Sequence, residues 1–431
     1  MNKGIKVYKF GGASIRDAAA IQNIVPIIKK QAAEPLLIVV SAMGKTTNAL
    51  EKLLESYVQQ DGQAFELLES LKMAHLQTAQ ALFGEQHDIF ASLNDTFVEI
   101  EWIIEEEPQD AYDYLYDQLV AVGEMASSKL VAAYLNHVGI KTHWLDARDV
   151  ILTDNTYREG QVDWAITEAR CTEIVPSIMA RGEVVLTQGF IGGTSENFTT
   201  TLGREGSDFS AAIFAHCLSA DSMSIWKDVA GVLTADPRLF EGVSKIDHLS
   251  YKEAIEMTYY GAKVIHPKTI KPLQNKNIPL YVKSFAHPEE AGTYIGADVD
   301  EQYPPVIVIE RQQSLLHIST RDFSFVAEHH LSHLFQRFAH HRIKVNVMQN
   351  MAISFSVCVT NSPDRLARLM EDLEQDFKVV RQDDLELITV RHFQESQLDN
   401  LLQGKMILFE ERIRQTIQLV VKNLPLLERK S

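Results

Sequence analysis

Apolar and polar residues in the first two thirds of the chain alternate in short blocks that predict strands separated by helices. Residues 36–40, Leu-Leu-Ile-Val-Val, form a continuous apolar run, and residues 18–30 before them have the apolar spacing of a helix. Such a run between helices is typical of a strand buried on both faces of a parallel sheet. The same reasoning predicts strands at 6–10, 142–145, 183–187, 222–225 and 280–283, and helices at 163–181, 210–218 and 251–259. The pattern therefore predicts an α/β fold with a mainly parallel sheet sandwiched by helices.

A long segment, about residues 50–139, interrupts this alternation and is predicted to be almost wholly helical. Leu50, Leu53, Leu54 and Tyr57 recur at the intervals of one helix face. We interpret the segment as a helical insertion or lid, and its acidic stretch, residues 99–117, as a solvated face.

Composition changes at residues 292–305, which contain two prolines and several acidic groups. We place a domain boundary there, between a catalytic domain at 1–300 and a second region at 305–431. The second region begins with predicted elements in the order βαββαβ, an α+β unit in which two helices cover one face of an antiparallel sheet. These elements are strands 315–319, 345–348, 353–359 and 385–390 and helices 331–338 and 363–373. Strands at 405–411 and 416–422 and a short helix at 397–402 predict a second, shortened unit.

Length, charge and cysteine content narrow the class of protein. A chain of 431 residues is expected to form two or three domains. The formal net charge of −17 argues against nonspecific nucleic-acid binding, and no apolar run approaches membrane-spanning length. Cys171, Cys217 and Cys358 lack the spacing of a metal site or a disulfide framework, so we expect buried thiols in a reducing compartment. Residues 1–5 run directly into a strand, and we expect a cytoplasmic protein.

The stretch Lys-Val-Tyr-Lys-Phe-Gly-Gly-Ala-Ser at residues 6–14 predicts a strand that ends in paired glycines and opens a helix. Without a Cβ at Gly11 and Gly12, the backbone can bend sharply and approach an anion, and the amides near Ser14 can point at it. Lys9, at the strand end, is within reach of the same anion. The stretch is therefore a candidate phosphate loop, with a simple tight turn as the alternative.

Polar side chains follow three further predicted elements. The glycine-rich stretch 188–210 carries Arg204, which can bind a carboxylate through two parallel hydrogen bonds, and Asp208, which can hold an amine or orient a lysine. A salt bridge between these two residues is the alternative. Glu124 begins a predicted helix, where a carboxylate is either a binding group or an electrostatic cap. The loop at 226–238 offers an aromatic ring and carboxylates to a ligand.

Together these motifs resemble the aspartate kinases of the amino acid kinase family over essentially the whole chain. Residues 9–14 are similar to that family's opening phosphate loop, with Ala13 where threonine is usual. Its substrate and catalytic segments have counterparts at 41–42, 46–48, 123–124, 200–204 and 206–208, and its nucleotide segments at 226–238, 261–264 and 266–267. The C-terminal region is similar to the family's pair of ACT domains, which bind end-product amino acids and mediate dimerisation.

The resemblance implies the reaction of ATP with L-aspartate to give 4-phospho-L-aspartate and ADP, the first step toward lysine, threonine and methionine. It implies that Lys9, the amides of Gly11 and Gly12, and Lys263 stabilise the transferring phosphoryl group, and that Asp208 orients Lys9. ATP and Mg²⁺ are the implied cofactors, with the metal bridging the phosphates and no metal ligand assigned to the protein.

The resemblance also implies how the two substrates are held. Glu124 would bind the ammonium of aspartate, Arg204 its α-carboxylate, and Thr47 would help to fix its pose, with Ser41 in the same substrate segment. The implied nucleotide-binding residues are Lys9, Gly12, Ser14, Trp226, Asp228, Lys263 and Val264. The implied partners are a second copy of the chain in a homodimer and an amino-acid effector, lysine or threonine.

Besides Ala13, the chain departs from the family pattern at three points. Glu205 stands where glycine is usual, which places a carboxylate beside the phosphate site, and Lys227 replaces the threonine that commonly precedes Asp228. The second ACT-like unit is shortened, so effector binding is expected to be altered or absent. Two alternatives stay open: another kinase of this fold, acting on glutamate or N-acetylglutamate, and a noncatalytic amino-acid sensor. No dehydrogenase domain follows, so we expect a monofunctional enzyme.

Overall fold

The computed structural model describes residues 4–262, 265–297, 299, 302–322 and 324–424. These residues form two compact units. The first unit contains residues 4–232, 245–255 and the described part of 263–301, and the second contains 233–244, 256–262 and the described part of 302–424. Two predicted nucleotide-binding residues, Lys263 and Val264, lie outside the described residues.

The strands of the first unit are β1 (Lys6–Phe10), β2 (Leu36–Val40), β3 (Thr142–Leu145), β4 (Val184–Gln188), β5 (Ile191–Gly193), β6 (Thr199–Thr201), β7 (Ser222–Lys227), β8 (His248–Ser250), β9 (Leu280–Ser284) and β10 (Thr293–Gly296). Eight of them form one sheet in the order β3-β4-β2-β1-β7-β9-β10-β8, while β5 and β6 form a separate hairpin. All neighbours in the large sheet are parallel except β9 and β10. The mainly parallel sheet predicted from the apolar runs is confirmed.

The helices of the first unit are α1 (Ala18–Gln31), α2 (Thr46–Gln59), α3 (Ala64–Phe83), α4 (Ile89–Ile104), α5 (Tyr112–Val120), α6 (Val122–His137), α7 (Trp164–Met179), α8 (Gly206–Cys217) and α10 (Pro267–Asn275), while α9 (Tyr251–Tyr259) begins in the first unit and ends in the second. Leu36, Ile38 and Val40 of β2 belong to one apolar cluster with α1 to α6. Leu37 and Val39 point to the opposite face because side chains alternate along a strand, and α8 packs against β1, β2 and β7. Both faces of β2 are therefore covered, and all five of its residues are buried.

The second unit contains β11 (Val306–Thr320), α11 (Glu328–His340), β12 (Val345–Asn350), β13 (Ser354–Thr360), α12 (Pro363–Leu373), β14 (Phe377–Arg391), α13 (Glu395–Leu401), β15 (Lys405–Ile413) and β16 (Thr416–Asn423). Its six strands form one antiparallel sheet in the order β12-β13-β11-β14-β16-β15. The elements from β11 to β14 follow the predicted βαββαβ order.

The strands β11 and β14 are much longer than the sequence pattern predicts. Residues 306–310 pair with 387–391, and residues 315–320 pair with 377–382, so the two strands run through both halves of the sheet. Between these stretches the pairing register shifts, and Gln312 adopts a φ of 56°. The polar residues at this irregularity break the apolar pattern, which is why the sequence predicted only one half of each strand.

No helix in the described ranges is long and apolar enough to cross a membrane. The three cysteines are buried free thiols, as predicted from their spacing.

Candidate active site

Four neighbouring parallel strands bring the predicted site residues to one edge of the central sheet. The register aligns the ends of β1 and β2, of β1 and β7, and of β2 and β4. Ligands of open α/β sheets bind beyond the carboxyl ends of the strands. The segments that follow these four ends are 11–14, 41–45, 189–193 and 228–232.

Gly11 and Gly12 form a tight turn that packs on the loop after β2. A Cβ on Gly12 would lie 2.8 Å from the carbonyl oxygens of both Ala42 and Gly44. The Gly44 amide donates to the Gly12 carbonyl at 3.1 Å, which holds the two loops together. The Ser14 hydroxyl donates to the Gly11 carbonyl at 2.8 Å, and Ser14 is fully buried. The side chain of Ser14 therefore shapes the turn, and its part in nucleotide binding stays a prediction.

Asp208 lies between two lysines at this edge. Its Oδ1 is 2.7 Å from Lys9 Nζ, and its Oδ2 is 3.7 Å from Lys227 Nζ. Lys9 is 8% exposed and Asp208 is 4% exposed. Burial alone would raise the pKa of Asp208, but the charges of Lys9 and Lys227 lower it below its ordinary value. Asp208 is thus an ionised carboxylate that fixes the position of the Lys9 ammonium group.

Glu124 is buried at the start of α6, with 3% of its surface exposed. Its Oε1 accepts a hydrogen bond from the Ala42 amide at 3.2 Å, whereas Oε2 is buried without a hydrogen-bond partner in the described part of the chain. Burial raises the pKa of Glu124 to about 8, although the Ala42 amide and the Lys9 charge act in the opposite direction. A buried carboxyl oxygen that lacks a partner is suited to a cationic group of a ligand.

The glycine-rich stretch before α8 ends in two charged residues with different environments. Arg204 is exposed and forms no ion pair with a described residue, so the alternative salt bridge between Arg204 and Asp208 does not form. Glu205 adopts a φ of 55°, in the left-handed region that favours glycine, and its Oε2 is buried without a partner among the described atoms. This backbone angle explains why glycine is the usual residue at this position. Ser41 and Thr47 are half-buried, at the end of β2 and the start of α2.

Trp226 is a core residue of β7. Its ring is 3% exposed, stacks on Phe10 with centroids 6.0 Å apart, and meets Tyr8 edge-on at 5.5 Å. The ring is therefore not available to stack on a base, and a nucleotide contact by this residue would involve its backbone. Asp228, just after the strand, is exposed.

Asp117 supports the site from within the helical segment, although the sequence placed it on a solvated acidic face. That interpretation is wrong for Asp117, which is fully buried on α5. It accepts hydrogen bonds from the Thr201 hydroxyl at 2.7 Å, the Thr201 amide at 2.8 Å and the Arg158 amide at 2.9 Å. Burial raises its pKa to about 6 in spite of these bonds. The contacts fix β6 directly before the stretch that leads into α8, and the run of threonines in β6 was the signal for a buried polar partner.

Residues 4–284 match the model of the amino acid kinase family. The chain belongs to that family. The matched residues include β1 to β9 and the turn, lysines and carboxylates described above. The resemblance inferred from the sequence motifs is therefore confirmed.

Two curated relatives of this amino acid kinase are aspartokinases. The lysine-sensitive aspartokinase 3 of Escherichia coli (strain K12) is 31% identical over 361 residues, which are 82% of this chain and 78% of the relative. The chloroplastic aspartokinase 1 of Arabidopsis thaliana is 32% identical over 419 residues, which are 94% of this chain and 70% of the relative.

A solved structure extends the similarity over nearly the whole chain. The crystal structure of E. coli aspartokinase III in complex with aspartate and ADP, in the R-state, has a TM-score of 0.83 and 27% identity, and the match covers 97% of this chain and 96% of that one. The predicted fold class is confirmed: an amino acid kinase domain is followed by α+β, ACT-like regulatory domains.

Proposed function

We propose that this amino acid kinase is an aspartate kinase, which transfers the γ-phosphoryl group of ATP to the side-chain carboxylate of L-aspartate to give 4-phospho-L-aspartate and ADP. The observation that carries the proposal is the buried Glu124, with one oxygen lacking a partner, beside Lys9 and the glycine turn. The Lys9 charge acts on the pKa of Glu124, which supports a single site in which Glu124 would receive the ammonium and Lys9 the phosphate. The related E. coli aspartokinase III binds aspartate and ADP, which supports the same substrates here.

This reaction needs positive charge rather than a general base. The side-chain carboxylate of aspartate is ionised near neutral pH, so an oxygen attacks the γ-phosphorus directly while the bond to the β,γ-bridging oxygen breaks and ADP leaves. Lys9 and the amides of Gly11 and Gly12 would neutralise the charge on the transferring group. Asp208 keeps Lys9 oriented, and Lys227 offsets the negative charge that Asp208 brings to the site.

The amino-acid substrate would be selected through both substituents of its α-carbon. Glu124 would accept the ammonium at Oε2, and Arg204 would bind the α-carboxylate through two parallel hydrogen bonds, with Thr47 and Ser41 fixing the pose. An N-acetylated substrate carries no ammonium and would leave Glu124 buried without a partner. The site therefore favours a free α-amino acid over N-acetylglutamate, and glutamate is the closer competitor.

ATP would arrive with Mg²⁺ on its phosphates. Within the described ranges, no group of three or more His, Cys, Asp or Glu side chains could hold a metal ion, and both oxygens of Asp208 already face lysines. This donor set fits a Mg²⁺ ion held mainly by phosphate oxygens and water, where the ion supplies charge neutralisation. The nucleotide itself would contact the predicted residues Lys9, Gly12, Ser14, Asp228, Lys263, Val264 and the backbone of Trp226.

The six-stranded sheet would serve as the regulatory region, in a homodimer that binds lysine or threonine. Its edge strands β12 and β15 expose apolar side chains, among them Met348 and Ile407. Exposed apolar edges are typical of strands that pair with another chain. The E. coli relative is lysine-sensitive by name, which makes lysine the first effector to test. Light scattering coupled to size-exclusion chromatography, with and without each amino acid, measures the assembly.

The reaction is tested by a coupled assay of ADP release with MgATP and L-aspartate, with hydroxylamine present to trap the acyl phosphate as a hydroxamate. Wild-type protein should form aspartyl hydroxamate, and Lys9→Ala should lose nearly all turnover. Lys52→Ala, which changes an exposed lysine on α2, should keep the wild-type rate. Parallel assays with L-glutamate and N-acetylglutamate separate the other kinases of this fold. No product from any of the three acids, with folded protein, would overturn the kinase proposal in favour of a noncatalytic sensor.

A further inference from the structure

The first unit contains a cavity whose lining includes none of the candidate active-site residues described above. Its volume is about 400 Å³, and it lies between the loop before α7 and the helices α8 and α10. Cavities of this size that combine aromatic walls with a few polar groups are typical of small-molecule sites. Its aromatic, basic and proline lining residues are Trp164, Phe209, His216, Lys268, Lys271 and Pro272.

The walls of this cavity are held in place by contacts between the three helices. The Trp164 ring meets the His216 ring edge-on at 5.2 Å and the Phe209 ring at 6.4 Å. His216 Nδ1 is 2.8 Å from the Pro272 carbonyl, and because a carbonyl only accepts, Nδ1 carries the hydrogen. Lys276 at the end of α10 pairs with Glu168 of α7 at 2.7 Å. The cavity is therefore preformed.

The charge of the cavity is positive in an otherwise acidic chain. Lys268 and Lys271 lie on one face of α10, at the exposed mouth of the cavity, and neither forms an ion pair with any residue that the structure describes. No acidic side chain lines the cavity, although the chain has a formal net charge of −17. Lys268 also lies in the first turn of α10, where the helix dipole disfavours a cation. A bound anion would be attracted by both lysines and would offset the unfavourable interaction of Lys268 with the helix dipole.

We propose that this cavity binds a small organic anion that carries an aromatic ring and a carboxylate, of the chemical class of aryl-substituted carboxylates. The ring would pack on Trp164 and Phe209, and the carboxylate would reach Lys268 and Lys271. An amino acid is a poor fit, because none of the lining residues offers a carboxylate to its ammonium group. The inferred ligand is therefore chemically distinct from both aspartate and the amino-acid effectors considered above.

Two walls of the cavity continue into the candidate active site, so binding should affect catalysis. Phe209 directly follows Asp208 in α8, and the Gly160 amide donates to the Thr201 carbonyl at 2.9 Å, just before the stretch that carries Arg204. A ligand that fixes Phe209 and residue 160 would bias the position of that stretch. This regulatory effect rests on the proposed function, whereas the binding itself does not.

The binding test uses three compounds that share a phenyl ring and differ in charge: 3-phenylpropionate, L-phenylalanine and 2-phenylethylamine. Isothermal titration of the full chain should show saturable binding of 3-phenylpropionate and at least about tenfold weaker binding of the other two. 2-Phenylethylamine lacks the carboxylate that the lysines would bind, and L-phenylalanine adds an ammonium group for which the lining residues offer no carboxylate. The double variant Lys268→Gln/Lys271→Gln should lose at least about tenfold in affinity. Lys52→Gln, the matched exposed lysine on α2, should bind as wild type does.

A second readout places the ligand in this cavity. Binding should change tryptophan fluorescence in the wild type, and Trp164→Phe should lose that change while it keeps the heat of binding. Equal binding of the three compounds, no binding of 3-phenylpropionate, or wild-type affinity in the folded double variant would each overturn the inference.

The hydroxamate assay separates this inference from the proposed function. If 3-phenylpropionate binds but no aspartyl hydroxamate forms, the proposed function fails and the binding site stands. If the hydroxamate forms but no binding is measured, the binding site fails and the proposed function stands. The regulatory effect requires a rate change with 3-phenylpropionate in the wild type that is absent in the double variant.

Discussion

Glu124 should couple the binding of aspartate to pH. Burial raises its pKa to about 8, so at neutral pH the carboxyl group is mostly protonated, and binding of the substrate ammonium must displace that proton. The facing groups, the Lys9 ammonium and the Ala42 amide, favour the ionised form without restoring the ordinary pKa. We expect kcat/KM for aspartate to rise by up to about tenfold per pH unit below pH 8 and then level off. Steady-state kinetics across this range measure the profile.

The variant Glu124→Gln is the control for this pH dependence. It should lower kcat/KM by about a hundredfold or more and flatten the profile, because an amide does not titrate. The stability of the wild type should change with pH in the opposite direction to its activity. Glu124 keeps its proton up to about pH 8 in the folded state, whereas its ordinary pKa is 4.5. The free energy of unfolding should therefore fall as the pH rises between these two values. The Tm of the glutamine variant at pH 8 should therefore equal or exceed that of the wild type. A wild-type pH profile in the variant would contradict the assignment.

Lys227 and Glu205 both depart from the family pattern, and we expect their effects to compensate. Lys227 places a positive charge next to Asp208. Glu205 places a carboxylate at the start of α8, the helix that carries Asp208, and one of its oxygens is buried without a partner among the described atoms. Lys227→Thr should lower kcat by about tenfold with little change in the KM for aspartate, because the site loses one positive charge. Adding Glu205→Gly should restore most of the rate because it removes the opposing carboxylate, and glycine suits the φ of 55°.

This double-mutant cycle is read from kcat for the two single variants and the pair. Lys227→Arg keeps the charge and should keep most of the activity. Strictly additive effects in the cycle would show that the two residues act independently, and an unchanged kcat in Lys227→Thr would remove Lys227 from the site.

At the scale of elements, the two glycines in the turn after β1 are expected to respond differently to substitution. A change at Gly12 should mainly affect stability, and a change at Gly11 should mainly affect turnover. A Cβ on Gly12 would lie 2.8 Å from two carbonyl oxygens, so Gly12→Ala should cost about 1–3 kcal/mol of unfolding free energy. Gly11 has a φ of −80°, and the nearest atom to an added Cβ is Lys9 Nζ at 3.4 Å. Gly11→Ala should therefore fold normally but lose turnover, because the methyl group occupies the space of the phosphate. Denaturant unfolding and the hydroxamate assay measure the two effects, and equal stability of both variants would contradict the distinction.

The elements also show which contacts the sequence could predict. Apolar runs located β1 and β2, and the residues at their ends, such as Lys9, followed because parallel strands share one ligand edge. The contact between Lys227 and Asp208 depends on β7 lying next to β1, and strand order is not encoded in local periodicity. Trp226 was placed in a loop because it precedes polar residues, yet its register with Phe10 puts the ring on the buried face. The role of Asp117 could not be predicted, because it lies in an acidic run and its contact with Thr201 of β6 depends on the fold.

At the scale of the whole molecule, two short segments connect the second unit to predicted nucleotide residues through the chain itself. Residues 233–244 and 256–262 belong to the second unit. Within that unit, Arg391 Nη1 is 3.1 Å from Glu256 Oε2, and the Arg391 guanidinium lies 5.5 Å from the centre of the Tyr260 ring. The first segment continues the 226–232 stretch, and the second leads directly into Lys263. A change in the six-stranded sheet can therefore reach these residues along the backbone.

Arg391→Ala tests this route. The variant removes the mostly buried Arg391 side chain, its ion pair with the partly exposed Glu256 and its ring contact, which should loosen residues 256–262. The KM for ATP should therefore rise about three- to tenfold, because Lys263 follows that segment. The KM for aspartate should stay unchanged, since its predicted contacts all lie in the first unit: after β2, on α2, on α6 and just before α8. Arg412→Ala, which removes a half-exposed arginine of the same sheet, is the matched control and should change neither constant.

Hydrogen exchange at 256–262 should increase only in Arg391→Ala. An unchanged KM for ATP together with faster exchange would mean that the order of this segment does not govern nucleotide binding, and the regulatory sheet would then have to act through 233–244 instead.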